Sequence, residues 1–173
     1  MRSVCLSFCV CLLGALEALH AATPGEVGIG KTLGEASLSG LNGPDRALSS
    51  LLGQPLLINV WASWCGPCRA EMASLERLAW RDPGRRYAII GISTDDDRTP
   101  ALRWLQQSHG TISHYIDRQL QMENMLGASS LPLTVLVNAR GQVLAKIYGA
   151  REWDSQESLS LIARTFGPDA RAK

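Results

Sequence analysis

Cys65 and Cys68 stand two residues apart at the end of an apolar run, in the stretch NVWASWCGPCRAE. Thiols at this spacing can hold a metal, close a structural bridge or exchange electrons. A bridge between them would close so short a loop that it removes little chain entropy, so stabilisation is a poor reason for the pair. A cysteine at the amino-terminal end of a helix meets unpaired backbone N–H groups and the positive end of the dipole. Both favour the thiolate and lower the pKa below its free value of roughly 8.5. Cys65 falls just before the predicted helix and Cys68 one turn inside it, where a thiol can wait to attack a mixed disulfide. Pro67 lacks the N–H and has a fixed φ, so it can open the helix between them. Glu71 follows one turn beyond Cys68 on the same helical face and can take the Cys68 proton if burial raises its pKa. The plainer alternative is a first-turn glutamate that complements the dipole.

Rival chemistries fit less well. For zinc, His109 and His114 complete four ligands by count, but they lie far from the cysteines in sequence and no second CxxC exists. No metal and no other cofactor is expected. Copper delivery by a related fold calls for CxxxC with a distant histidine, and a peroxidase needs a cysteine in a threonine- and proline-bearing context. Asp95-Asp96-Asp97 is expected to be a solvated loop before a helix. Trp80, Trp104 and Trp153 are expected to pack on helices or loops, without ligands.

The elements that must position the pair follow from periodicity. Residues 56–62 (LLINVWA) are an unbroken apolar run of strand length, which predicts a strand buried on both faces and a parallel or mixed sheet. After Pro67, Met72, Leu75, Leu78 and Ala79 recur at helical spacing until Asp82-Pro83-Gly84. Residues 87–93 predict a second buried strand, followed by a helix with Thr99 as N-cap and Pro100 in its first position. A short strand is expected over 114–117 and a helical piece over 120–126. After Leu131-Pro132, two strands over 133–138 and 142–148 are joined by a turn at Asn138-Ala139-Arg140-Gly141. A last helix covers 155–166. This order predicts an α/β fold built on a βαβ unit.

The chain of 173 residues suits one domain with a full core. Its net charge of +1 supplies no field to collect nucleic acid or an anionic membrane. Residues 1–22 carry an apolar run from Val4 to Leu16 and small residues at Ala21 and Ala22, the pattern of a signal peptide. The run is shorter than the roughly 20 residues that span a bilayer. It is expected either to be cleaved near Ala21 or Ala22 or to remain as an amino-terminal anchor. Removing it takes away Cys5, Cys9 and Cys11, so Cys65 and Cys68 have no other thiol to pair with. Residues 23–55 are expected to form an amino-terminal extension with a β-hairpin, 56–167 the main domain and 168–173 a polar tail.

WCGPC after a hydrophobic strand is the thioredoxin motif, and NVWASWCGPCRAEM together with GASSLPLTVLVNARGQVL resembles the exported TlpA/ResA group of thioredoxin-like reductases. The resemblance covers roughly 40–166. It implies a thioredoxin fold, a mixed sheet flanked by helices with a small N-terminal β extension. It also implies Cys65 as the exposed nucleophile, Cys68 as the resolving thiol, Trp64 as a packing neighbour, and Gly66 and Pro67 as active-site neighbours. Pro132 is implied to be a cis-proline that exposes the backbone of Leu131 to an extended substrate. Leu133 departs from the threonine common after this proline, which bears on the surface that meets substrate. Thioredoxins carry a buried aspartate where this chain has Asn59, an amide that cannot act as a base. The group instead has a glutamate at the position of Glu71. Gly66-Pro67 is the dipeptide of thioredoxin, whose potential of about −270 mV is reducing.

The implied function is a monomeric, periplasmic thiol-disulfide oxidoreductase. It would reduce cysteines of exported proteins such as apocytochrome c or copper-site proteins, and a membrane donor of the CcdA/DsbD type would re-reduce it. The contrasting reading is a non-enzymatic thioredoxin-fold binding module or a copper metallochaperone.

Overall fold

The computed structural model describes residues 23–81 and 87–167. The expected signal segment, the polar tail and the Asp82-Pro83-Gly84 helix stop lie outside the described residues. Seven strands form one mixed sheet: β1 (Ser37–Gly40), β2 (Arg46–Ala47), β3 (Leu56–Trp61), β4 (Ala88–Ser93), β5 (Ser113–Ile116), β6 (Leu133–Val137) and β7 (Val143–Tyr148). Among the described residues four α-helices accompany them: α1 (Gly66–Arg81), α2 (Arg98–Ser108), α3 (Gln121–Leu126) and α4 (Gln156–Phe166). The strand order is β2-β1-β5-β4-β3-β6-β7. This is the α/β arrangement expected from the order of elements, and the mixed sheet flanked by helices that the resemblance implies.

β3 sits at the centre because every one of its residues is buried and it can satisfy neighbours on both sides. It pairs parallel with β4 and antiparallel with β6. β5 extends the sheet parallel to β4, and β1 joins β5 antiparallel. β1 and β2 pair antiparallel as a small hairpin within residues 23–55, where one is expected.

Alternate residues of these strands feed two apolar cores. One, under α1, α2 and α4, contains Leu57, Trp61, Cys68, Leu75, Leu136 and Phe166. The other, beside α3, contains Leu56, Ile58, Val60, Ile92, Leu126 and Leu133. Leu133 is fully buried in this second core, so it is not part of a substrate-facing surface. The strand period of two turns its side chain inward one residue after the proline.

The helix ends differ in detail from the expectation. Thr99 is not the N-cap of α2. Asp97, in extended backbone, accepts the Thr99 N–H at 2.9 Å, and Pro100 falls third in the helix. Ser155 caps α4 and accepts the Ser158 N–H at 3.2 Å. α3 has no cap on Leu120, and the Asp117 carboxylate instead accepts the N–H groups of Gln121 (2.9 Å) and Glu123 (2.8 Å).

The turn into β7 uses Gly141 at φ 82°, where a side chain would be strained. Residues before β1 run along this corner. Gly30 N–H donates to the Val143 carbonyl at 2.8 Å, Val143 N–H to Lys31 at 2.9 Å, and Leu33 N–H to Gly141 at 2.9 Å. Glu26 adds a largely buried ion pair with Lys146 of β7.

Candidate active site

β3 ends at Trp61, and a four-residue loop delivers Cys65 to the start of α1. Cys65 and Cys68 are joined as a disulfide, with Cα atoms 5.3 Å apart. The first helical bond, from Arg69 N–H to the Cys65 carbonyl (3.2 Å), makes Cys65 the residue from which the helix springs. The Cys68 N–H points at Cys65 Sγ, 3.2 Å away, so one of the unpaired helix donors is aimed at the sulfur that would carry negative charge. Cys65 keeps 6% of its surface exposed and Cys68 none. Of the two, only Cys65 can be met from outside, where it lines an open groove.

The loop is held by a residue that the sequence suggests is solvated. Asp95 is buried; its carboxylate accepts the Ser63 N–H (2.9 Å), the Ser63 hydroxyl (2.6 Å) and the Ser93 hydroxyl (2.7 Å). Of the acidic run, Asp95 pins the loop, Asp97 caps α2, and Asp96 reaches the groove beside Cys65. The run's position at the carboxyl end of β4, next to β3, was the available clue. Trp64 is 71% exposed, so it is not packed as expected but stands as a wall of that groove.

The groove is open, about 650 Å³, and Trp64, Cys65, Pro67, Asp96, Glu123 and Leu131 are among the residues that line it. The Leu131-Pro132 peptide bond is cis, and Leu131 is half-buried at the groove's edge. Glu123 is held above the ordinary carboxylate range, first by burial and then by the charges of Asp117 and Asp96.

Glu71 lies in the second turn of α1 and is 2% exposed, pointing down at the sheet rather than along the dipole. Its Oε1 accepts from Asn59 Nδ2 at 2.7 Å. Its Oε2 accepts from the Arg151 N–H at 3.0 Å and from the Trp153 indole at 3.1 Å. Burial raises its pKa above 4.5, against the lowering effect of these three donors. Asn59, an amide in an apolar strand, is thus the anchor of the carboxylate, and its second N–H reaches Thr134 Oγ1 at 3.1 Å. Trp153 is more than packing, since it donates to Glu71. Its distance of 82 residues from Glu71 in sequence left no local signal.

Among the described residues no group of three or more His, Cys, Asp or Glu side chains is arranged to hold a metal ion. His109 ends α2, and His114 lies wholly buried in β5.

Comparisons with known proteins agree with this geometry. Residues 29–160 match the Redoxin family. The thiol:disulfide interchange protein DsbE of Allochromatium vinosum is 37% identical over 146 residues, 80% of this chain and 78% of that protein. The thiol-disulfide oxidoreductase ResA of Geobacillus thermodenitrificans is 28% identical over 150 residues, covering 86% of each chain. A crystal structure assigned to DsbE of Chlorobium tepidum superposes with a TM-score of 0.74 at 23% identity, over 82% of this chain and 99% of that one, and shares the fold. A CxxC disulfide at a helix start, on this sheet and with these relatives, makes the chain a member of the redoxin family and a thiol-disulfide oxidoreductase.

Proposed function

We propose that the chain is a reductase of cysteines in exported proteins, with Cys65 as nucleophile, Cys68 as resolving thiol and Glu71 as the base that serves Cys68. The observation that carries this is the asymmetry of the pair: Cys65 opens on the groove beside Trp64 and Leu131, whereas Cys68 is sealed one turn below, on the helix that carries Glu71. In the reduced enzyme, the Cys65 thiolate attacks one sulfur of a substrate disulfide. A mixed disulfide forms and the other substrate sulfur leaves as thiolate. Glu71 takes the proton of Cys68, whose thiolate attacks Cys65 Sγ and releases the second substrate sulfur. Two electrons have then passed to substrate, and the enzyme is left with the Cys65–Cys68 disulfide.

The cis Leu131-Pro132 segment at the groove's edge is the place for an extended substrate strand. The signal-like residues 1–22 support action in the periplasm, freely or from an amino-terminal anchor. Among the described residues no helix is long and apolar enough to cross a membrane. Substrates of the apocytochrome c or copper-site class, a membrane donor of the CcdA/DsbD type and a monomeric state complete the proposal.

The test is a Cys68→Ser variant expressed in its native compartment. It should accumulate disulfide-linked partners on Cys65 that dissolve with reductant and vanish in Cys65→Ser/Cys68→Ser. An absence of such adducts, together with failure of the dithiol form to reduce insulin, would refute the proposal.

A further inference from the structure

The exchange scheme leaves one cluster of the molecule unused. Register places Thr134 of β6 opposite Asn59 of β3, Asn59 beside Gly91 of β4, and Gly91 beside His114 of β5. All four belong to the face of the sheet under α1, so they form a polar row across four central strands, within a core that is otherwise apolar. Glu71 meets this row from above, through Asn59.

Among the described residues, four buried side-chain polar atoms lack a protein hydrogen-bond partner. They are Asn59 Oδ1, Trp61 Nε1, and His114 Nδ1 and Nε2. All four lie in this row or beside it, since the Trp61 and His114 rings meet edge to face with centroids 5.4 Å apart. Buried polar atoms are nearly always satisfied, so a cluster of this kind marks a place for ordered water.

The chemistry of the four atoms balances. Burial lowers the His114 pKa to about 3, so the imidazole is neutral and offers one donor and one acceptor. The Trp61 indole adds a donor and the Asn59 amide oxygen an acceptor. Gly91 makes the meeting possible, because a Cβ there would overlap His114 Nδ1 and Cε1. The imidazole therefore lies over Gly91, between β5 and β3. Strands are spaced about 4.8 Å apart, a separation between ring and amide that one water at ordinary hydrogen-bond distance from each can bridge.

We propose that His114 is a positioning residue for thiol-disulfide exchange: through buried water in the row above Gly91 it donates toward Asn59 Oδ1, which keeps the amide NH2 aimed at Glu71. This rests on the reading of Glu71 as the base for Cys68. An amide held this way stabilises the ionised Glu71 and sets the pH at which it can accept a proton. The groups that face the Glu71 carboxyl are Asn59 on β3 and the Arg151 N–H and Trp153 before α4, while Ser74 on α1 donates to the Glu71 backbone carbonyl. The Arg151 guanidinium is occupied by Glu157. Among the described residues no charged group contributes to the shift of the His114 imidazole, which is set by burial alone.

The experiment follows the Glu71 carboxyl directly, by carbon-13 NMR titration of the full chain in its disulfide state. In His114→Phe, which keeps the ring but loses both nitrogens, the Glu71 titration should move up by about one pH unit, because the Asn59 amide loses its support and its bond to the carboxylate weakens. His114→Gln retains a donor and should recover at least half of that shift. In the wild type, the His114 N–H should show a cross-peak to a long-lived water, a measurement that stands even if the variants do not fold.

Identical Glu71 titration in wild type and His114→Phe, or no water cross-peak at His114, would overturn the proposal. If the shift is present but Glu71→Gln leaves the pH profile of exchange unchanged, the base reading fails, while the coupling of His114 to Glu71 stands.

Discussion

Toward α3, β3 presents Leu56, Ile58 and Val60, β4 presents Ile90 and Ile92, and β6 presents Leu133, Val135 and Val137, all of them aliphatic and buried. Toward α1, the same strands present Leu57, Asn59 and Trp61, then Ile89, Gly91 and Ser93, then Thr134 and Leu136. The strand period of two separates the faces completely, so one chain segment can carry an inert face and a polar one at the same depth. Polar groups buried without partners are costly, and among the described residues they collect on the side where a cysteine pair and a carboxyl group can use them. The first face holds the sheet together; the second surrounds the chemistry.

That contrast predicts different consequences for changes on the two sides. Cys65→Ser should lower the insulin reduction rate by about 10³-fold or more without loss of fold, because the attacking sulfur is gone. Retained activity would place the nucleophile elsewhere. Next in size, Glu71→Gln should slow exchange by on the order of 10²-fold near pH 7. In the wild type the rate should fall as pH drops through the Glu71 pKa, since the protonated carboxyl cannot accept, and burial moves that fall above pH 4.5. The variant should lack this limb. Because the folded pKa is raised, Glu71 favours the folded state below its unfolded pKa, and that contribution is lost as pH rises through the folded value. Urea melts across pH should show Glu71→Gln without this loss.

On the aliphatic face, Ile58→Ala should cost about 2–5 kcal/mol in urea denaturation, with the exchange rate per folded molecule unchanged. A matching loss of rate would mean that the two faces are coupled. A pH-dependent effect is expected of His114, whose folded pKa of about 3 lies below its unfolded value near 6.5. Its contribution is present above pH 6.5 and is lost as pH falls toward 3, so His114→Phe should flatten the acid side of the stability curve over that window. Thr134→Val, which leaves one Asn59 N–H without its acceptor, should cost about 1–3 kcal/mol.

Much of this was legible in the residues themselves. The apolar run before Cys65, the helical spacing after it and the Leu131-Pro132 boundary are local patterns, and local patterns survive folding. Glu71 was singled out by the resemblance, and its helical offset from Cys68 agreed, although the same offset suits a glutamate that only complements the dipole. What could not be seen was the company it keeps: Trp153 and Arg151 arrive from a distant segment, and His114 joins the row of Asn59 only through strand register, across Gly91. Asp95 was misjudged because an acidic run beside a helix is ordinarily solvated, whereas here the β4 terminus faces the cysteine loop and two serines supply donors. Leu133 was misplaced by one step of the strand period, which decides between groove and core.

The docked residues before β1 have a further consequence, for solubility. A sheet's outer strands expose unpaired amides that can template another chain, and long bare edges invite aggregation. Here one outer strand, β2, is only two residues long, and the other, β7, begins under Gly30 and Lys31 and carries Lys146 against Glu26. A chain trimmed to Thr32 would uncover that border, and the enzyme would become prone to associate with itself through β7 even with its cysteine pair intact.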